Sequence, residues 1–149
     1  MKISGEQHID APRARVWEAL NDPLVLKACI LGCEELDKIS DTEMKSVVQA
    51  KFGPVKAKFK ANITLEDIDI ENSCKLVGNG QGGMAGFANG IANITLSDAI
   101  QDDKKEHTVL QYEVEFSVGG KIAQIGSRLL QGTTTKIVDH FFKTFPTLL

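Results

Sequence analysis

The segment GGKIAQIGSRLLQGTTTKIVDHFFKTF, residues 119–145, decides the fold that this 149-residue sequence predicts. Two glycines open the segment, no proline interrupts it and Pro146 follows it, so we predict one long C-terminal helix over residues 121–145. At about 100° per residue, its large apolar side chains fall on one broad face. These residues are Ile122, Leu129, Leu130, Ile137, Phe141 and Phe145.

Small residues lie within the same helix face, namely Gly126, Thr133 and Thr134. A face selected for close packing alone would carry large side chains at these positions, so the small ones leave room for something else. A basic stripe follows the opposite side of the predicted helix. It consists of Lys121, Arg128, Lys136 and Lys143.

Ahead of this helix, the hydrophobic period changes from 3.6 residues to 2, which is typical of antiparallel strands that bury one face. The clearest case spans residues 55–65, where apolar residues alternate with lysine, asparagine and threonine. Similar alternation predicts about seven strands in all, the others at residues 1–9, 36–40, 44–52, 74–80, 86–96 and 110–118. A polar turn is predicted at residues 101–106.

Two short helices are predicted after the first strand, at residues 13–20 and 24–28. Asp10 is the expected N-cap of the first helix, with Pro12 in its first turn. The length suits one domain, so we predict that residues 1–149 form a single α+β domain. The C-terminal helix is the only predicted element long enough to cover the dry face of the sheet.

Many residues predicted to face inward are small, which leaves two interpretations open. They are Gly5, Ala50, Ala57, Ala61, Ala88, Gly90 and Ala92. Small residues permit strong sheet curvature and close helix packing, but they can also leave an apolar cavity for a ligand. The predicted lining of that cavity is Leu26, Phe52, Phe59, Ile63, Leu76, Met84, Ala92, Ile94, Tyr112, Val114, Ile122, Gly126, Leu129 and Thr133.

The composition excludes several classes of protein. A net charge of −3 and a pI near 5.6 argue against a nucleic-acid binder. No apolar run approaches the ~18 residues of a membrane span, and the N-terminus shows no basic-then-apolar leader. The cysteines Cys29, Cys33 and Cys74 cannot pair completely, which favours the reducing cytoplasm. They and the scattered histidines form no recognisable metal set, so neither a metal nor a cofactor is predicted.

Motifs that would carry catalysis are weak. Gly78, Gly80 and Gly83 spell G-x-G-x-x-G, but the following segment is predicted to be a strand, whereas dinucleotide binding requires a helix there. No nucleophile stands beside a base in a recognisable context. Tyr112 and His140 are the only polar candidates for a role inside the cavity.

Four stretches of the sequence resemble the family of the carbon monoxide dehydrogenase G-subunit. They are IDAPRARVWEALNDPLVLKACILGCEEL at 9–36, KFGPVKAKFKANITL at 51–65, GGMAGFANGIANITL at 82–96 and VGGKIAQIGSRLL at 118–130. The family belongs to the SRPBCC superfamily, which shares the helix-grip fold with START lipid-transfer domains and birch-pollen-allergen-type proteins. The resemblance therefore implies a curved antiparallel sheet that grips a long C-terminal helix, with a hydrophobic cavity between them.

The resemblance also implies a non-catalytic role. Members of the family accompany molybdenum hydroxylases of the carbon monoxide dehydrogenase type, and are proposed to assist that enzyme at the membrane by carrying a quinone or another lipid. The implied partners are a quinone, lipid or fatty acid and a molybdenum hydroxylase, with peripheral membrane contact left open. Ile125 and Phe142 lie off the apolar helix face, which leaves a homodimer open as well.

Two other functions stay open from the sequence. One is an enzyme of the polyketide cyclase type, which would use Tyr112 or His140 as its acid or base. The other is a structural adaptor whose cavity is filled by side chains. For a ligand carrier, we expect a gate formed by the glycine-rich residues 78–86 together with residues 24–31.

Overall fold

The structure is a computed structural model, and it describes residues 1–100 and 105–149, with Ile100 described by its backbone alone. The strands are β1 (Lys2–Ile9), β2 (Cys33–Ser40), β3 (Glu43–Phe52), β4 (Val55–Asp69), β5 (Ser73–Gln81), β6 (Phe87–Ile100) and β7 (Glu106–Gly119). The helices are α1 (Arg13–Leu20), α2 (Pro23–Cys29) and α3 (Ser127–Thr144). Short 3-10 segments cover Gly83–Ala85, Gly120–Ile125 and Phe145–Leu148.

The strands form one antiparallel sheet in the order β1-β7-β6-β5-β4-β3-β2. This confirms the predicted seven-stranded α+β fold, in which the sheet curls around the C-terminal helix. Burial alternates along the strands as predicted, and in β4 Phe59 and Leu65 are buried while Lys58 and Lys60 are exposed. The predicted polar turn at 101–106 falls largely on residues 101–104, which lie outside the described residues.

The C-terminal helix is shorter than predicted. Residues 121–125 belong to a 3-10 segment, and α3 itself begins only at Ser127. The break lies at Gly126, whose φ of 98° and ψ of 151° are accessible essentially to glycine alone. Ile122 and Leu129 therefore do not share a helical face: Ile122 is fully buried, whereas Leu129 is 49% exposed. The predicted helix was thus wrong in its first turn and a half.

The N-cap prediction for α1 was also wrong. Pro12 occupies the N-cap position and no side chain caps the helix. The Asp10 carboxylate instead lies 3.2 Å from Nδ1 of His107. In α2, by contrast, the Asp22 side chain accepts a hydrogen bond from the Leu24 amide at 2.9 Å and caps the helix.

Large buried side chains fill one end of the space between the sheet and α3, which we call the closed end. Its members are Ile9, Val16, Ala19, Leu96, Leu110 and Phe145, with Leu26, Leu36, Met44 and Leu65 beside them. An aromatic series continues this packing: Tyr112 stacks on Phe142 at 5.1 Å, and Phe141 stacks on Phe145 at 5.7 Å. Phe142 is thus half-buried against the closed end, although it lies off the predicted apolar face.

Candidate functional site

An apolar cavity of about 330 Å³ lies between the sheet and α3, at the end opposite the closed end. We call this region the open end. Strands β3 and β4 contribute Val48, Ala50, Phe52, Phe59 and Ala61 to its lining. Strands β5, β6 and β7 contribute Gly78, Gly80, Ala88, Gly90, Val114, Phe116 and Val118, and Asn79 and Asn89 also border it. Thr134 and Ile137 of α3 border the cavity on the helix side.

The cavity exists because small residues stand opposite one another on neighbouring strands. The sheet register pairs Gly78 with Gly90, Gly80 with Ala88 and Gly80 with Ala61. A Cβ atom added at Gly78 would meet nothing nearer than the Gly90 carbonyl oxygen at 4.0 Å. No side chain volume reaches the helix from these positions, so space remains between the two layers.

A wider opening of about 730 Å³ adjoins this cavity, and we call it the mouth. Ala50 and Ile137 line both spaces, so the mouth leads to the cavity between β3 and α3. The mouth forms where the pairing between β2 and β3 stops. Cys33 is the first residue of β2 and pairs with Val48, so the residues of β3 after Val48 have no partner in β2. The turn at Leu31 and Gly32, together with Leu129 and Thr133 of α3, completes the rim.

Five of the residues predicted to line a ligand cavity border one of these two spaces. Phe52, Phe59 and Val114 line the cavity, and Leu129 and Thr133 line the mouth. In the cavity, the rings of Phe52 and Phe59 meet edge to face at 6.0 Å and 81°.

The other predicted lining residues lie elsewhere. Leu26, Ile63, Leu76, Ile94 and Tyr112 pack into the closed end. These residues occupy the same inward positions of the alternation, but their side chains are large enough to fill the space there.

Four further positions are corrected by the structure. Met84 is 86% exposed on the Gly83–Ala85 segment, and Gly126 is exposed at the break before α3. Ile122 packs beneath Phe59 as part of the core. Ala92 is half-buried and lies outside the lining of both the cavity and the mouth.

Several lining residues were missed as site residues. They are Val48, Gly78, Gly80, Phe116, Val118, Thr134 and Ile137. Their neighbours Ala50, Ala61, Ala88 and Gly90 are small inward residues, as predicted, and that signal was correct. The missing information was the sheet register, which brings Gly78, Gly80, Ala88 and Gly90 together.

The two candidate catalytic residues lie away from the cavity. Tyr112 stacks on Phe142, and His140 is half-buried on α3 but lines neither the cavity nor the mouth. Burial and the nearby Asp139 carboxylate raise the pKa of Tyr112, while a hydrogen bond with Gln7 acts in the opposite direction. The Tyr112 hydroxyl therefore stays protonated and serves the packing of the closed end.

The remaining motifs take structural roles. Gly78 and Gly80 belong to β5, and the segment after Gly83 leads into strand β6, so the dinucleotide interpretation does not apply. Burial raises the pKa of Cys29 and Cys74, which are free thiols in the interior. Within residues 1–100 and 105–149, no group of three or more His, Cys, Asp and Glu side chains could hold a metal ion.

None of the helices in the described part of the chain combines the length and the apolar character needed to cross a membrane.

Solved structures share this fold. A conserved protein from Geobacillus kaustophilus is 35% identical, with a TM-score of 0.88 and coverage of 99% of this chain and 93% of that chain. A START superfamily protein from Mycobacterium smegmatis is 8% identical, with a TM-score of 0.69 and coverage of 98% and 94%. The Zhui aromatase/cyclase from Streptomyces sp. R1128 is 10% identical, with a TM-score of 0.64 and coverage of 99% and 92%. The last two likenesses concern the fold alone, which is START-like.

The sequence places the chain more narrowly within that class. Residues 5–149 match the family of the carbon monoxide dehydrogenase G-subunit (CoxG), and the chain belongs to this family. A comparison with curated proteins finds no match.

Proposed function

We propose that this protein is a non-catalytic carrier of a hydrophobic small molecule, a quinone or a lipid, which it exchanges with a partner enzyme. The proposed partner is a molybdenum hydroxylase of the carbon monoxide dehydrogenase type, because the chain belongs to the CoxG family. The observation that carries the proposal is the apolar cavity of about 330 Å³ between the sheet and α3. This volume lies within the roughly 300–1,000 Å³ typical of ligand sites in proteins.

The chemistry of the lining supports binding over catalysis. Among the described residues that line the cavity, none is an Asp, Glu, His, Lys, Arg, Cys or Tyr. The Thr134 hydroxyl donates a hydrogen bond to the Leu130 carbonyl at 2.8 Å, so its proton is already committed to the helix backbone. General acid–base catalysis needs a titratable group within hydrogen-bond reach of the substrate. Burial of apolar ligand surface, at roughly 25 cal/mol per Å², is the driving force that such a site offers.

The experiment that tests this proposal fills the cavity from its floor. Ala61 faces the cavity from β4 and can be replaced by Phe, which places a ring where the ligand would lie. Mass spectrometry of an organic extract from gently purified wild type should reveal a quinone or lipid, and the Ala61→Phe variant should lose it. Calorimetric titration with a short-chain ubiquinone and with dodecanol should show an affinity at least about tenfold lower for the variant.

Ala14→Phe is the matched control, because Ala14 is exposed on α1, which packs at the closed end. It should bind like wild type. Equal binding by Ala61→Phe and wild type, with both folded by circular dichroism, would refute the cavity as the binding site. Failure of wild type to retain or bind any apolar compound would favour the adaptor function instead.

A further inference from the structure

The mouth is basic although the protein as a whole is acidic. Lys51 and Lys56 border it from outward-facing positions of the β3–β4 hairpin, and Arg128 and Lys136 border it from exposed positions of α3. The net charge of the chain is −3, so the sign of the charge at the mouth is opposite to that of the whole chain. Among the described residues that line the mouth, Glu34 is the single acid. The entrance to the cavity is therefore a local concentration of positive charge.

The one acidic residue that lines the mouth forms an ion pair with a lysine outside the mouth. The Glu34 carboxylate lies 3.2 Å from Nζ of Lys58, a residue that does not line the mouth. In the described part of the chain, Lys51, Lys56, Arg128 and Lys136 make neither an ion pair nor a side-chain hydrogen bond. The mouth thus contains four cations whose charge the protein itself does not balance.

The sheet register holds two of these cations against each other. Lys51 and Lys56 are direct cross-strand partners, and like charges in that position destabilise a hairpin. On α3, Arg128 and Lys136 lie two turns apart, with Gly132 between them on the same side of the helix. Gly132 is exposed and a Cβ atom there would meet nothing within 4 Å, so the surface between the two helix cations is open to solvent. An anion in the mouth would relieve the repulsion and occupy that surface.

We propose that the mouth is the head-group subsite of an anionic amphiphile, in which a carboxylate or phosphate is held by Lys51, Lys56, Arg128 and Lys136. The apolar chain of the same ligand lies in the adjoining cavity, which Ala50 and Ile137 connect to the mouth. This inference rests on the proposed function and narrows its ligand class. Of the ligands proposed there, it selects charged lipids, namely fatty acids and phosphate-headed lipids, over an uncharged quinone.

The test compares three ligands with the same twelve-carbon chain: dodecanoate, dodecyl phosphate and dodecanol. Calorimetric titration of wild type at low salt should give affinities for the two anions at least about tenfold above that for dodecanol, since several partly exposed charge pairs contribute. At about 0.5 M salt this preference should shrink, because exposed charges are then strongly screened. Tighter binding of dodecyl phosphate would assign phosphate-headed lipids as the source of the anion, and tighter binding of dodecanoate would assign fatty acids.

The variant Arg128→Gln/Lys136→Gln removes the helix half of the subsite. It should lose about tenfold in affinity for both anions while its affinity for dodecanol is unchanged. The matched control is Lys121→Gln/Lys143→Gln, which removes the same charge from exposed positions outside the mouth. The control should bind all three ligands within about twofold of wild type.

The outcomes separate this inference from the function on which it rests. Equal affinity of wild type for dodecanol and both anions would overturn the head-group subsite and leave the apolar carrier intact. Equal loss of anion affinity in both double variants would also overturn it, because the effect would then reflect net charge alone. Absence of binding by all three ligands would overturn both proposals.

Cys33 provides an independent readout of the head group. It is the half-exposed thiol of the chain and lines the mouth, whereas Cys29 and Cys74 are buried. Burial raises the pKa of Cys33, so alkylation by iodoacetamide is best followed at about pH 8.5. Dodecanoate at saturation should slow alkylation of Cys33 several-fold more than dodecanol at saturation. Equal protection by both ligands would contradict a head group in the mouth.

Discussion

The closed end and the open end are two halves of one interface between the same sheet and the same helix, yet one is solid and the other is hollow. Both follow the same inward and outward alternation along the strands. At the closed end the inward residues are large, such as Leu110 and Phe145, which are fully buried. At the open end aromatic residues such as Phe59 are also present, but the inward residues between them are small, such as Ala61 and Gly78. The comparison teaches that side-chain volume, and not the alternation itself, decides where this fold is hollow.

The short helices strengthen the difference between the two ends. Val16 and Ala19 of α1 and Leu26 of α2 pack into the closed end, so that end is covered by three helices. At the open end α3 contributes Thr134 and Ile137, and two 3-10 segments contribute Ala85 and Ile122, which pack against Phe59. We therefore expect the closed end to contribute more to stability than the open end.

The largest expected effect comes from truncating the same residue type at each end. Phe145→Ala should reduce the free energy of unfolding by about 3–5 kcal/mol, because it opens a void in a filled core. Phe52→Ala should cost only about 1 kcal/mol, because the half-buried Phe52 ring already borders empty space. Urea denaturation of both variants measures the difference. Similar losses for the two variants would mean that the ends are equally well packed.

The next effect concerns the turn that frames the mouth. Gly32 has a φ of 81°, and a Cβ atom there would lie 2.0 Å from the Gln49 carbonyl oxygen. Gly32→Ala should therefore destabilise the fold by more than the ~1–3 kcal/mol that a strained backbone conformation alone costs. Gly83→Ala is the control, since Gly83 has a φ of 60° but nothing within 4 Å of its added Cβ. If thermal unfolding shows the same loss for both, the contact between Gly32 and Gln49 is not tight.

A smaller change in stability is expected from filling the open end. Gly78→Val adds a β-branched side chain to a strand, at a site where its Cβ meets only ordinary contacts. We expect the free energy of unfolding to stay equal or to rise by up to about 1 kcal/mol, while affinity for dodecanol falls. Denaturation and calorimetry on the same preparation measure both quantities. A loss of several kcal/mol would show that the space at Gly78 is not empty.

The smallest expected effect is a change in the free energy of unfolding at alkaline pH, caused by Tyr112 at the closed end. The pKa of Tyr112 is raised above its ordinary value of 10.0, so the folded state keeps the phenolic proton after the unfolded chain has released it. The stability that this provides is complete below about pH 10 and is lost as the pH rises further. Tyr112→Phe lacks this loss, so its unfolding free energy should fall less steeply than that of wild type above about pH 10. Parallel curves across that range would mean that Tyr112 is solvated like a free phenol.

The fold could be predicted from the sequence because it depends on periodicity and on turn residues. The alternation in residues 55–65 and the helix over 13–20 needed no tertiary information. The start of α3 could not be placed, because Gly126 fits a helical pattern and its unusual backbone angles become visible only in the structure. The cavity was only partly predictable, since the alternation shows that Ile94 and Gly90 face inward but not which end of the sheet each occupies. The sheet register supplies that information.

The position of the mouth at the end of the edge strand has a consequence for the speed of exchange. Of the glycine-rich segment that the sequence suggests as part of a gate, residues 78–81 lie in β5, where Gly80 pairs with Ala61 on one side and Ala88 on the other. Residues 83–85 form a 3-10 segment. A ligand that enters between β3 and α3 passes beside the sheet, so no ladder hydrogen bond has to break. Side-chain and loop motions of this kind occur in nanoseconds to microseconds, well ahead of the microseconds to milliseconds of collective rearrangements. We therefore expect loading and release to be limited by the encounter with the donor or acceptor, and the dissociation rate to depend little on the stability of the fold.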